Sequence, residues 1–273
     1  MSNALKESLY KKQIKRFERV VDISKEFSGA YCGSSIIGTT IFDIVENYAR
    51  KKEIILEVLR YPFKDAKLWA VTFVKRRTIF LCVNSELPVC KQVFAVAHEL
   101  YHIRCYAEGT DMNTIQTGSV LESKVVDEIA ITQEDLEANA FAGLLLMPCS
   151  FIYEQISLYG INRKHIEVDD ILTLMELFVL PYEATVLRLF EEQIITEDKA
   201  IKLLKYDVSY ISQRIEFTGK AKQWQINSAK IFYFGSLLDN LEFNSNNEFI
   251  TNSREEADRK YLKEIRESLC GNG

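Results

Sequence analysis

The first part of the chain alternates between helical and extended patterns of apolar residues. Apolar side chains recur at helical spacing from Lys6 to Phe27, which predicts an amphipathic helix. A second helix is predicted from Ile41 to about Lys51, followed by an extended segment from Ile54 to Leu59. Two β-rich runs on either side of a basic trio then predict a hairpin: residues 69–74 and 78–83, around residues 75–77.

Two further helices are predicted on either side of a long loop. The first extends from Cys90 to Tyr106, and the second spans Gln133 to Met147. Pro148 ends the second helix, because proline cannot continue a helix and disfavours the helical conformation at the preceding residue. The intervening residues 107–132 are rich in turn-forming residues and predict a loop over whatever the two helices build.

Beyond Pro148 the apolar spacing is almost wholly helical. The predicted helices are residues 151–158, 168–178, 182–193 and 197–206. Residues 207–250 are ambiguous, and the Asn-Ser-Asn-Asn tract at 244–247 predicts a loop. A charged helix is predicted for residues 253–269. The fold class is therefore α+β, with a small sheet or hairpin followed by a mostly helical C-terminal part.

Composition favours a packed core and argues against nucleic acid or a membrane as partner. The chain has 273 residues, of which 47% are hydrophobic, and a formal net charge of -5. Phosphate binding relies on clustered Lys and Arg, so this charge argues against direct DNA binding. The longest apolar run, residues 141–148, is far shorter than the roughly 18–20 residues that a membrane span needs. Because the basic N-terminus also lacks a secretory apolar stretch, we expect a cytoplasmic protein.

The six cysteines do not form a recognisable framework. They are scattered along the chain without a CxxC pair, at positions 32, 82, 90, 105, 149 and 270. This spacing is typical of reduced thiols in a cytosolic protein, and it argues against a cysteine-based structural zinc site.

Residues 98–102 read His-Glu-Leu-Tyr-His, and this motif carries the candidate chemistry. On a helix, His98 and His102 project from one face, close enough for both imidazoles to bind one metal ion. Glu99 lies beside them, where its carboxylate can take a proton from the attacking water and pass it to the leaving amine. The alternative interpretation is a helix with two partly buried histidines and a surface glutamate.

A catalytic zinc ion needs a third protein ligand, and the sequence offers several. Helix 133–147 supplies Glu134, Asp135 and Glu137 beside an apolar body that can pack on the motif helix. For Glu134 and Asp135 we expect a solvated acidic first turn, which the helix dipole favours. His165 lies among charged residues and is expected on the surface.

The metzincin class is excluded by two positions after the motif. That extension would demand glycine at 105 and histidine at 108, where Cys105 and Glu108 stand. A carboxylate on a second helix is the common remaining solution.

Three segments in this order resemble the ImmA/IrrE family of metallopeptidases. They are Thr-Ile-Phe-Leu-Cys-Val-Asn-Ser-Glu-Leu-Pro at 78–88, Val-Phe-Ala-Val-Ala-His-Glu-Leu-Tyr-His at 93–102 and Leu-Glu-Ala-Asn-Ala-Phe-Ala-Gly-Leu-Leu-Leu-Met-Pro at 136–148. The resemblance covers about residues 54–150. It implies a zincin-like core in which His98, His102 and Glu137 bind one zinc ion and Glu99 is the catalytic base. The ligand set also suits manganese or iron.

The resemblance also implies a function and a division of the chain. Family members typically cleave a helix-turn-helix transcriptional repressor, so we expect a regulatory endopeptidase acting on such a protein. The predicted units are a metallopeptidase core with its N-terminal helix at 1–150, a helix-turn-helix-like helical region at 151–206, and a C-terminal region of unassigned role at 207–273. The alternative function is a non-catalytic metal-binding transcriptional regulator or protein-interaction module, and zinc-dependent hydrolysis of a non-peptide bond also fits the motif.

Two features of this sequence stand apart from the resemblance. Tyr101 occupies a position where the family usually has glycine, so its phenol can alter substrate access, donate a hydrogen bond, or simply pack. The segment 178–190 is helix-turn-helix-like, but acidic residues crowd its second helix and Arg188 is its single basic residue. This charge favours a structural or protein-contact role over DNA binding.

We further hypothesise that a peptide substrate lies extended along the strand at 78–83.

Overall fold

A computed structural model describes residues 3–34, 36–65, 67–109, 119–122, 132–220 and 232–270. Its first elements are α1 (Asn3–Lys6), α2 (Leu9–Lys12), α3 (Ile14–Tyr31), a 3-10 turn (Gly38–Thr40), α4 (Ile41–Lys51), β1 (Ile55–Tyr61), β2 (Leu68–Lys75), β3 (Thr78–Asn84) and α5 (Val89–Ala107). The later elements are β4 (Ser119–Glu122), α6 (Gln133–Leu146), α7 (Cys149–Leu158), α8 (Val168–Phe178), α9 (Tyr182–Glu191), α10 (Glu197–Leu203), α11 (Val208–Thr218), β5 (Tyr233–Phe234), α12 (Leu237–Asn246) and α13 (Asn252–Cys270). The predicted α+β class is confirmed.

The sheet has the strand order β4-β2-β3-β1-β5. The predicted hairpin is confirmed: β2 and β3 pair antiparallel up to Lys75 opposite Thr78. Arg76 and Arg77 form the turn, and both have positive φ angles (51° and 67°), as two-residue hairpin turns of type I′ require. β1 runs parallel to β3, and the short strands β4 and β5 pair antiparallel with β2 and β1.

This strand order overturns the hypothesis that a peptide substrate lies along residues 78–83. β3 pairs with β1 on one side and with β2 on the other. Its backbone hydrogen-bonding groups are therefore used within the sheet, and a peptide cannot add to it. β4 stands at one end of the described sheet instead.

The motif helix α5 lies in the middle of the core. It contacts β2, β3 and β4 on one side and α6 on the other, and α3 covers α6. This placement follows from the sequence, because the second turn of α5 begins the apolar run at 93–97, whose five residues are all buried. The three chemical residues of the motif, His98, Glu99 and His102, are thus held within a rigid helix and shielded by protein on both sides.

The helices after Pro148 share this core. Arg188 on α9 is 1% exposed, donates to the Met147 carbonyl oxygen at 3.3 Å, and forms ion pairs with Glu191 and Glu192. Its Cδ atom would lie 2.9 Å from a Cβ at position 143, so Gly143 on α6 makes room for it. The single basic residue of the 178–190 segment is therefore a buried link between α9 and the end of α6. The division of the chain into units at 150 and 206 stays a prediction.

Three predicted elements differ from the structure or lie outside it. The N-terminal helix predicted for 6–27 is interrupted, because Gln13 leaves the helical conformation between α2 and α3 (φ -152°, ψ 75°). The tract at 244–247 is not a loop throughout, since α12 continues to Asn246. Of the predicted loop at 107–132, residues 110–118 and 123–131 lie outside the described residues, and β4 lies between them. The charged helix predicted at 253–269 is confirmed as α13.

Across the described residues, no single helix has the length and apolar character needed to cross a membrane. Among these residues, only α6 and α7 taken together have the length and apolar composition of a membrane span, and they meet at a bend of 44°.

Candidate metal centre

The two imidazoles of the motif face each other on α5. His98 and His102 are one helical turn apart, and their Nε2 atoms lie 3.2 Å from each other. Both side chains are buried, with 1% and 0% of their surfaces exposed. The spacing of the motif therefore produces the convergence that the sequence predicts.

A carboxylate from α6 completes the group. Asp135 Oδ1 lies 3.5 Å from His102 Nε2 and 4.0 Å from His98 Nε2. Among the described residues, these three side chains form a group whose possible ligand atoms all lie within 4.8 Å of one another. A tetrahedral ion with bonds of about 2.0–2.2 Å separates its ligand atoms by roughly 3.3–3.6 Å, which is close to these distances.

The start of α6 orients Asp135. Thr132 is the N-cap, and its hydroxyl oxygen accepts a hydrogen bond from the Asp135 backbone N–H at 3.1 Å. In return, Asp135 Oδ2 accepts from the Thr132 N–H at 2.9 Å and from the Thr132 hydroxyl at 2.6 Å. This capping box occupies Oδ2, so Oδ1 is the oxygen that faces the imidazoles.

Outer hydrogen bonds orient the rings of both histidines. His98 Nδ1 lies 3.0 Å from Asn139 Oδ1, and His102 Nδ1 lies 2.5 Å from Glu134 Oε1. Both partners are acceptors, so each Nδ1 donates outward and each Nε2 is the ring nitrogen that faces the group. Two imidazole nitrogens and one carboxylate oxygen then converge on one point, and with both Nε2 atoms unprotonated this donor set fits a divalent cation.

The electrostatics of the group also favour a cation. Burial alone would lower the pKa of His102, but the hydrogen bonds of Asp135 and Glu134 and the negative charge of Glu99 raise it to about 9. For Asp135, burial raises the pKa, yet the hydrogen bonds from His102 and Thr132 outweigh this effect and lower it. The carboxylates that hold a proton on His102 would equally attract a divalent ion.

Glu99, the residue after His98, is fully buried. Burial raises the pKa of the Cys82 thiol on β3 to about 11, and the nearby charge of Glu99 adds to the increase. The same charge acts on His102. The predicted base is therefore buried, with its charge acting on a candidate ligand and on a strand of the sheet, and it is not the surface glutamate of the alternative interpretation.

The structure does not bring Glu137 to the imidazoles. Its carboxylate accepts a hydrogen bond from the Tyr101 hydroxyl at 2.8 Å and pairs with Arg16 at 2.8 Å. Residues two apart on a helix are separated by about 200° around the helix axis and therefore lie on nearly opposite faces. Asp135 and Glu137 cannot face the same site for this reason. Asp135 therefore replaces Glu137 in the group of candidate ligands.

The prediction that the acidic first turn of α6 is solvated is also wrong. Asp135 lies with the imidazoles, and Glu134 accepts from His102. Asn139, which sequence reasoning did not single out, orients His98. The available signal was the spacing of Asp135 and Asn139, one turn apart like His98 and His102, after the capping pattern that begins at Thr132. His165 is exposed and outside the group, as expected.

We expect Thr132→Val to weaken metal binding roughly tenfold, because it removes the hydroxyl that orients Asp135 Oδ2. Loss of the cap should also lower the free energy of unfolding by about 1 kcal/mol. Competition with a chromophoric chelator and thermal unfolding measure the two effects. Thr196→Val is the matched control, since the Thr196 hydroxyl caps α10 through Lys199 N–H at 3.3 Å, away from the metal centre. Equal metal affinity in the two variants would contradict this role.

Comparison with known proteins adds one finding. A family model described as Peptidase_M78, IrrE N-terminal-like domain, matches residues 52–190, about half of the chain. A search of curated proteins finds no match to the chain. The matched span contains the motif helix, α6 and every candidate ligand.

Proposed function

Because this chain belongs to the Peptidase_M78 family of IrrE N-terminal-like domains, we propose that it is a zinc-dependent endopeptidase that cleaves a helix-turn-helix transcriptional repressor. Family membership supports a metallopeptidase. The observation that carries the finer proposal is the convergence of His98 Nε2, His102 Nε2 and Asp135 Oδ1, with the buried Glu99 carboxylate beside them.

Each residue of the centre has a proposed task. His98, His102 and Asp135 would hold the ion, and Asn139, Glu134 and Thr132 keep them in place. A divalent zinc ion at this position supplies Lewis acidity, which makes water a stronger acid and polarises the scissile carbonyl. Glu99 takes the proton of the attacking water on its carboxylate and returns it to the leaving amine. Burial keeps bulk water from competing for that carboxylate.

The sheet offers a place for an extended substrate. β4 ends the described sheet and contacts α5, so a peptide that added to its outer edge would run alongside the motif helix. Main-chain hydrogen bonds would fix the peptide's register without selecting its sequence. We propose that selection for a repressor in the cytoplasm comes from contacts outside this strand.

The proposal is tested by incubating the purified protein with the product of a neighbouring repressor gene. We expect discrete repressor fragments, complete inhibition by a chelator, and recovery on addition of stoichiometric zinc. Elemental analysis of protein purified without chelators should find about one zinc per chain. An intact repressor together with a metal-free protein would overturn the proposal and favour the non-catalytic regulator.

A further inference from the structure

Glu137 joins three helices beside the metal centre without belonging to it. Its Oε2 atom accepts from the Tyr101 hydroxyl on α5 at 2.8 Å, and its Oε1 atom pairs with Arg16 Nη1 on α3 at 2.8 Å. Gln13 at the start of α3 also donates to Gln133 Oε1 in the first turn of α6, at 2.5 Å. The first turn of α6, which carries Asp135, is therefore tied to both neighbouring helices.

Tyr101 is placed to align α5 with α6. It lies between His98 and His102 in the motif, is 3% exposed, and packs its ring on Phe141 of α6 at 5.4 Å between centroids. Its hydroxyl reaches Glu137, one turn before Phe141 on the same helix. The ring and the hydroxyl together contact two successive turns of α6, so both the height and the rotation of α6 relative to the motif helix are constrained.

On the basis of the metal centre proposed above, we propose that Tyr101 and Glu137 are positioning residues for Asp135, with Arg16 holding the far side of the Glu137 carboxylate. Ligand atoms must be held to within about 0.5 Å for tight metal binding. Asp135 is the one candidate ligand in the described centre that comes from a second helix, so its position depends on how α6 sits against α5. The hydrogen bond across the two helices supplies that alignment close to the ligand.

This role also accounts for the bulky residue inside the motif. Glycine, which the resemblance implies at position 101, could make neither the ring contact nor the hydrogen bond. In this chain the phenol faces α6 and Glu137, so it contributes to the helix pairing rather than projecting into a substrate path.

The test is zinc affinity measured by competition with a chromophoric chelator, together with the visible spectrum of the cobalt-substituted protein. We expect Tyr101→Phe and Glu137→Ala each to lower zinc affinity roughly tenfold and to change the cobalt spectrum. The double variant should bind zinc no more weakly than the weaker of the two single variants, because both changes remove the same hydrogen bond between Tyr101 and Glu137. Glu137→Gln keeps an acceptor oxygen for Tyr101 and should recover most of the affinity.

Tyr182→Phe is the matched control, since the Tyr182 hydroxyl donates to the Leu203 carbonyl oxygen at 3.2 Å in a buried site far along the chain. It should lower the melting temperature about as much as Tyr101→Phe while leaving zinc affinity unchanged. Equal affinity losses in these two variants, or Tyr101→Phe affinity within twofold of the unmodified protein, would overturn the positioning role. A failure of the metal centre itself looks different, because the unmodified protein would then bind no zinc.

Discussion

Replacing Glu99 by Gln should abolish peptide hydrolysis while leaving zinc bound. The amide has nearly the same size as the carboxylate, and Glu99 is not among the three candidate ligands. The glutamine amide cannot accept a proton from water at neutral pH, so the attacking water loses its base. General base catalysis is typically worth 10²–10⁴ in rate, and we expect a loss in that range.

The measurement is the initial rate of repressor cleavage by equal amounts of zinc-loaded protein, with metal content determined by elemental analysis. Glu86→Gln is a matched control, because Glu86 is exposed and lies just before the same helix. It should cleave at the unmodified rate. Cleavage by Glu99→Gln at that same rate would remove Glu99 from its proposed role, whatever the metal content.

The sequence predicted what local spacing determines. His98 and His102 converge because residues four apart on a helix share a face, whatever surrounds the helix. The hairpin at 75–77 and the end of α6 before Pro148 are likewise set by a few neighbouring residues. These elements could be predicted without knowing how any two of them pack.

The third candidate ligand could not be predicted in this way, because its identity depends on the rotation of α6 about its axis. Helix 133–147 is apolar on most sides, so its pattern does not indicate which acidic residue faces α5. The helix dipole correctly favours acidic residues in the first turn, but it acts on Glu134 and Asp135 whether water or an imidazole lies beside them. Only the packing of α6 on α5 distinguishes Asp135 from Glu137.

The outer strands were also beyond the reach of local patterns. β5 has two residues and pairs with Leu59 and Arg60 from a distant part of the chain, while β4 lies within a stretch rich in turn-forming residues. Such short strands exist because a sheet edge is available to them, and not because of their own apolar alternation. The substrate hypothesis failed for the same reason, since which strands end the described sheet depends on the full strand order.

Asp135→Ala should remove tight metal binding, whereas Glu137→Ala should retain it at reduced affinity. Deleting Asp135 removes one of three candidate ligands, so we expect zinc affinity to fall by more than about 100-fold, beyond the range typical of outer partners. Repressor cleavage should be lost together with the metal. Each variant loses one carboxylate near the start of α6, so the two variants have the same net charge.

Asp135→Ala also disrupts the capping box, and Thr132→Val separates this contribution from ligation. Both changes weaken the cap of α6, so both should lower the free energy of unfolding by about 1 kcal/mol. Only Asp135→Ala removes a ligand atom, and its loss of affinity should exceed that of Thr132→Val by at least about tenfold. The reverse order for the two acidic residues, with zinc lost in Glu137→Ala and kept in Asp135→Ala, would restore Glu137 as the ligand. It would also require α6 to rotate by roughly half a turn about its axis relative to α5 when the ion binds.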